Sequence, residues 1–211
     1  MSAELIATNV VLVARQFNPS VFSQLWLVRN GIVGEEDFGT GCIFSEEVAK
    51  IASRQFDLLV LPPQLQFIPK VVADEQGVLV KTVLGEKIVQ ALQATPYVAV
   101  GLNFTWHICP EGQDIGVYSR SLFCMPEKSP FREFDSADAR FGTYLSKNVI
   151  DCRMKLDVKP ITLPTGEVLQ FAFNFHADVP SEDSVPAITK HLQRWNETYA
   201  EARRIIDDLA Q

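Results

Sequence analysis

Two histidines stand in strand-like sequence among polar neighbours. His107 closes the run 97–108, and His176 lies late in the run 167–178 with Asp178 two positions on. Two imidazoles and a carboxylate are donors of the right type for zinc or iron. They belong to no helical or loop ligand spacing, so neither a metal nor another cofactor is expected. Nucleophilic catalysis has no frame either. The chain carries neither a Gly-x-Ser-x-Gly elbow nor a Gly-x-x-x-x-Gly-Lys-Ser/Thr phosphate loop. Cys109 follows His107 by two positions, but Pro110 ends that strand before the two can share a face. The acidic groups Glu35-Glu36-Asp37 and Glu46-Glu47 read as solvated loops.

A polar surface is the better candidate. Strands place alternate residues on opposite faces. Over 97–108, Val98, Val100, Leu102, Phe104, Trp106 and Ile108 fall on one side, against Asn103, Thr105 and His107 on the other. Over 150–160, Ile150, Cys152, Met154, Leu156 and Val158 oppose Arg153 and Lys155, flanked by Asp151, Asp157 and Lys159. Over 167–178, Leu169, Phe171, Phe173 and Phe175 oppose Gln170, Asn174 and His176. Asn103, Thr105, His107, Arg153, Lys155, Gln170, Asn174 and His176 therefore form the candidate ligand-binding set on one sheet face. An ordinary solvated face is the competing reading.

The elements that must position these residues can be read along the chain. Residues 5–15 are an apolar, β-branched strand. Asn18-Pro19 opens a helix expected over 19–30, closed by Gly31. Short strand-like runs fill 41–80, broken by Pro62-Pro63, and 74–77 reads as a hairpin turn. A helical face follows over 82–93. Residues 110–135 read as an irregular excursion and 136–146 as a short helix. Pro164-Thr165-Gly166 joins the last two strands as a hairpin. From Pro186 on, Ile188, Leu192, Trp195, Tyr199, Ala202, Ile206 and Leu209 recur in steps of four and three, the stripe of a long helix. That stripe either covers the sheet phenylalanines or pairs two chains, and covering the sheet is the expectation.

This order is strand, helix, strands, helix, taken twice, with Asn103-Phe104 echoed by Asn174-Phe175. It resembles the pseudo-duplicated TATA-box-binding-protein-like fold. The resemblance implies a single α+β domain over 1–211, with a curved antiparallel sheet, helices on one face and repeats over 1–95 and 96–211. The strand Gly101-Leu102-Asn103-Phe104 is also similar to a Gly-Leu-(Asn/Arg)-(Phe/Tyr) strand of bacterial proteins without an assigned function. DNA-binding members of the fold family read the minor groove with basic residues and inserted aromatics. Here the phenylalanines fall on the core face, so DNA binding is not carried over.

Composition points the same way. The 211 residues carry a formal charge of −7 and a pI near 5.0, with 47% hydrophobic residues. Nucleic acid is not expected as a partner, because phosphate binding draws on a basic surface. The first residues show no basic stretch followed by an apolar segment, and no apolar run is long enough to span a bilayer. A cytoplasmic location without a membrane partner is expected, with Cys42, Cys109, Cys124 and Cys152 as free thiols. The leading expectation is a non-enzymatic protein-interaction or binding module that can self-associate. One alternative is a small-molecule-binding protein or enzyme using the polar face around His107 and His176; a second, disfavoured by the acidic pI, is DNA binding by analogy with the fold family.

Overall fold

The computed structural model describes residues 2–110 and 112–210. The apolar opening run forms β1 (Ser2–Ala14). A 3-10 turn, Pro19–Val21, follows, with the Asn18 side chain accepting from the Ser20 N–H. The helix expected over 19–30 is split, because Ser23 caps a fresh helix, α1 (Gln24–Arg29), through the Trp26 N–H. Gly31 ends it at φ +60°. Then come β2 (Ile43–Phe44), β3 (Ala49–Ala52), β4 (Phe56–Leu61) and β5 (Gln64–Pro69), paired in sequence as an antiparallel meander.

Residues 74–77 are not a hairpin turn. They lie in α2 (Ala73–Leu79), which runs on as a π-helix, Val80–Val89. Gly77 serves packing instead of a turn: a Cβ there would collide with the Asn196 side chain and press on Trp195. The buried doublets Leu79-Val80, Val83-Leu84 and Ile88-Val89 recur after four and then five positions. The wider i→i+5 winding keeps them on one face.

The second half opens with β6 (Tyr97–Cys109). The excursion after it is partly ordered as α3 (Ile115–Phe123) and α4 (Ser129–Arg132). The helix expected over 136–146 is absent. That stretch ends in a strand, β7 (Thr143–Val149), followed by β8 (Cys152–Leu163) and β9 (Gly166–Asp178). The β8–β9 hairpin turns at Pro164-Thr165 as expected. The C-terminal stripe is carried by two helices, α5 (Ser184–Leu192) and α6 (Trp195–Ala210).

The chain is thus α+β, with one nine-stranded antiparallel sheet in the order β2-β3-β4-β5-β1-β6-β9-β8-β7. One row of paired residues crosses all of it: Ile43, Lys50, Leu59, Gln66, Val11, Gly101, His176, Arg153 and Asn148. No helix among the described residues is long and apolar enough to cross a membrane. All four cysteines are free.

The core lies on one face of the sheet. Val10, Leu12, Leu58, Phe67, Leu102, Phe104, Leu156, Phe171, Phe173 and Phe175 join the buried side chains of α1, α2, the π-helix, α5 and α6 in one apolar cluster. Phe104 is its hub. Its ring lies 4.8 Å from that of Trp195, 5.6 Å from Tyr199, 5.9 Å from Phe175 and 6.1 Å from Trp106. The C-terminal stripe is spent here: Ile188, Leu192, Trp195, Ala202 and Ile206 are all buried. Val98 departs from the expected alternation. Ala14 pairs with Tyr97 while Val13 pairs with Ala99, a bulge that leaves Val98 exposed and turns Tyr97 into the core.

Candidate functional site

Residues of the opposite parity make a second surface. From Ile43 through Leu59, Gln66, Val11, Asn103, Asn174 and Lys155 to Asn148 they remain half-exposed or exposed. Ala99, Gly101 and Val168 on this face are buried. The sequence-derived set falls here on three neighbouring strands: Asn103, Thr105 and His107 on β6, Gln170, Asn174 and His176 on β9, and Arg153 and Lys155 on β8.

The centre of the face is an amide ladder. Asn174 Nδ2 donates to Asn103 Oδ1 at 2.6 Å, and Asn103 Nδ2 donates to Asn9 Oδ1 at 2.6 Å. The same row runs on to Lys155 and Ser146. Gly101 makes room for it, since a Cβ there would stand 2.7 Å from Asn174 Nδ2. Asn9 escaped the sequence reading. The available signal was one amide inside the apolar run of β1, at the parity of the open face.

Register separates the two histidines. His107 pairs with Gln170, at 3.4 Å between their side chains, whereas His176 pairs with Gly101. Gly101 and His107 lie six positions apart on β6. At roughly 3.3 Å per residue, the imidazoles sit about 20 Å apart along the strands. One ligand of ordinary size cannot bridge them, and they cannot share a metal. Among the described residues no group of His, Cys, Asp and Glu could hold a metal ion.

His176 belongs instead to a corner of the sheet. A cleft of about 660 Å³ is lined by 148–153 and 176–178. His176 Nε2 lies 3.2 Å from Asp178 Oδ1. Across the strands, Arg153 donates to Asn148 Oδ1 at 3.2 Å and to the Ser146 hydroxyl. Among the described residues neither Arg153 nor Lys155 is ion-paired to a carboxylate. In a chain of net charge −7 these are two cations without a carboxylate partner, on a face where Lys159 is paired to Asp157 and Lys70 to Asp57.

The turn that closes this corner is strained. Ile150 and Asp151 have φ of 52° and 51°, the left-handed region that β-branched residues avoid. The two-residue β7–β8 hairpin takes that geometry at both turn positions, the type I′ arrangement normally met by Asn-Gly or Asp-Gly. Arg194, between α5 and α6, donates to the Ile150 carbonyl and to Asp151 Oδ2 at 2.6 Å. Its guanidinium holds the Asp151 carboxyl below the usual range, through that hydrogen bond first and its charge second. This turn escaped the sequence reading, because Ile150 is no turn former and Asp151 fits the alternation of the run 150–160.

The third histidine was also missed, being one letter within the α5 stripe. His191 is buried under the sheet, and its Nε2 donates to the Phe175 carbonyl at 3.0 Å. Burial pushes its pKa below the ordinary 6.5, with the nearby charges of Arg194 and His176 adding to the shift. The folded state therefore binds fewer protons here than the unfolded chain below pH 6.5. The stabilisation is complete above that value and is lost as the pH falls beneath it. Urea midpoints measured from pH 7.5 to 5 should fall with acidification. In His191→Phe that acid-side slope should flatten, and an unchanged slope would assign the titration elsewhere.

No protein-family model matches the chain, and no curated protein matches it in sequence.

Proposed function

We propose that this chain is a binding module that engages a protein partner through the open face of its sheet. The observation that carries this reading is the surface itself: one face of a nine-stranded sheet that stays largely half-exposed from strand to strand, while the large aromatics of the central strands β6 and β9 are turned to the other side and Tyr144 of the edge strand alone among the tyrosines of β6–β9 stands on it. Broad, mixed, shallow surfaces suit macromolecules, whereas small ligands are held in concave sites that enclose most of their area. The space between the sheet and α6 is filled by Phe104, Trp106, Trp195 and Tyr199. The Asn9–Asn103–Asn174 ladder would give such a surface fixed amide groups in place of mobile ones.

The strand order supports reading the chain as a duplicated unit of the TATA-box-binding-protein-like kind. In each half the first strand lies beside the last, β1 beside β5 and β6 beside β9, and the two first strands meet at the centre. A second reading rests on the corner cleft, where Arg153 beside His176 would receive a small anionic ligand.

A photo-crosslinking amino acid placed at Thr105, Asn148 or, as a control on the helical layer, Glu197 tests both readings in cells that express the chain. Discrete protein adducts are expected from Thr105 and Asn148 but not from Glu197. No adducts, or the same adducts from all three positions, would sink the interface. Adducts at Asn148 that pyrophosphate suppresses would instead assign the corner to a small anion.

A further inference from the structure

The two edges of the sheet are built differently. One ends in β2, a strand of two residues, and short edge strands discourage pairing with other chains. The other ends in β7, seven residues paired to β8 in unbroken register with no bulge. β7 contains no proline, and its single lysine does not guard the edge, because Lys147 Nζ is drawn back to Glu201 of α6 at 3.2 Å. Tyr144 is exposed on the open face and Leu145 on the helical face, at 62% and 54%. A seven-residue, unbulged, partly apolar edge is the kind that natural sheets normally cover or disarm.

The hairpin fixes which backbone groups are free. Val149 and Cys152 flank the two-residue turn, so they form a hydrogen-bonded pair, and the bonded pairs alternate from there. Val149, Lys147, Leu145 and Thr143 then bond inward to β8. Asn148, Ser146 and Tyr144 point their N–H and C=O groups outward. Among the described residues no hydrogen bond reaches these outward groups.

We infer that β7 pairs antiparallel with β7 of a second copy of this chain, about a two-fold axis through Ser146, continuing the sheet across the dimer. This register uses every outward group. Ser146 exchanges both of its bonds with its own counterpart, and Tyr144 with Asn148 of the other copy. It also suits the side chains. Leu145 stands opposite Lys147 of the second copy, whose methylenes can cover it while its ammonium stays on Glu201. No two like charges stand directly opposite. A register one position over would pair residues from opposite faces and is excluded for a continuous sheet. A second copy is the fitting occupant because the strand is its own complement in this register, the requirement of an isologous two-fold interface.

The inference does not rest on the open-face reading, and its test reads mass instead of partner capture. Sedimentation equilibrium of the full chain at 5–200 µM, a range chosen around ordinary weak-dimer affinities, is expected to show a monomer–dimer equilibrium. Ser146→Pro removes an N–H that makes no bond within the chain and blocks the two-fold centre, a substitution that edges tolerate. Leu145→Lys sets two ammonium groups opposite each other. Each variant is expected to be monomeric over the whole range, with the circular dichroism of the parent. If Ser146→Pro misfolds, Leu145→Lys, changed at an exposed position, decides alone. A parent that stays monomeric at the top concentration would overturn the inference, as would a dimer that survives Leu145→Lys.

Discussion

Phe104→Ala is expected to cost about 3–5 kcal/mol of folding stability, the usual range for truncating a fully buried phenylalanine. The upper part of that range applies. Phe104 is wholly buried, and its ring meets four other aromatic rings from three elements, Trp106 on the same strand, Phe175 on β9, and Trp195 and Tyr199 on α6. Well-oriented aromatic pairs add roughly 0.5–1.5 kcal/mol to the burial of area. Trp106 and Phe175, fixed on the sheet, cannot collapse into the cavity, so part of the loss is not recovered. Urea unfolding followed by tryptophan fluorescence checks it, since Trp106 and Trp195 report from the cavity wall. The paired control is Thr105→Ala, half-exposed on the other face, where a change within about 0.5 kcal/mol is expected. A loss below about 1 kcal/mol for Phe104→Ala would mean that α6 is not docked on β6 as described.

The same contrast explains what the sequence could disclose. Alternation over 98–108 and 169–176 separated the dry face from the polar one, because a strand buried on one side imposes period two on its residue types. It could not disclose register, which depends on pairing between distant segments. Register is what carries His107 and His176 to different ends of the face and brings His176 to Arg153. The bulge at Val98 was hidden for the same reason. Residues 143–146 read as the end of a helix because an edge strand, wet on both sides, has no periodicity to show. Gly77 misled in the other direction: a glycine after acidic residues reads as a turn, and only the proximity of Trp195 and Asn196 explains it within a helix. The C-terminal stripe survived the break at Gln193-Arg194 because both helices bury the same face, so spacing alone could not reveal two helices in place of one.

That break places Arg194 at the strained turn, and its removal should have the other large effect. Left-handed backbone costs about 1–3 kcal/mol at a residue unsuited to it and persists only where its surroundings enforce it. Here the enforcing contact is the bond from Arg194 to the Ile150 carbonyl. A hydrogen bond from a charged donor contributes about 1.5–3 kcal/mol. Arg194→Met, which keeps most of the stem, should therefore lower stability by an amount in that range. Replacing Ile150 by Asn relieves its share of the strain, because Asn accepts positive φ in a two-residue hairpin, and it leaves the Asp151–Arg194 bond in place. In the parent this substitution should be stabilising, since the clamp no longer has that strain to hold. In the Arg194→Met background its benefit should grow, giving a coupling of about 1 kcal/mol or more in a double-mutant cycle. Additive values would show that Arg194 merely touches the turn. Coupling would show that the α5–α6 junction sets the backbone of the corner where Arg153 and His176 meet. The break between the two helices would then be part of how the open face is shaped at its cationic end.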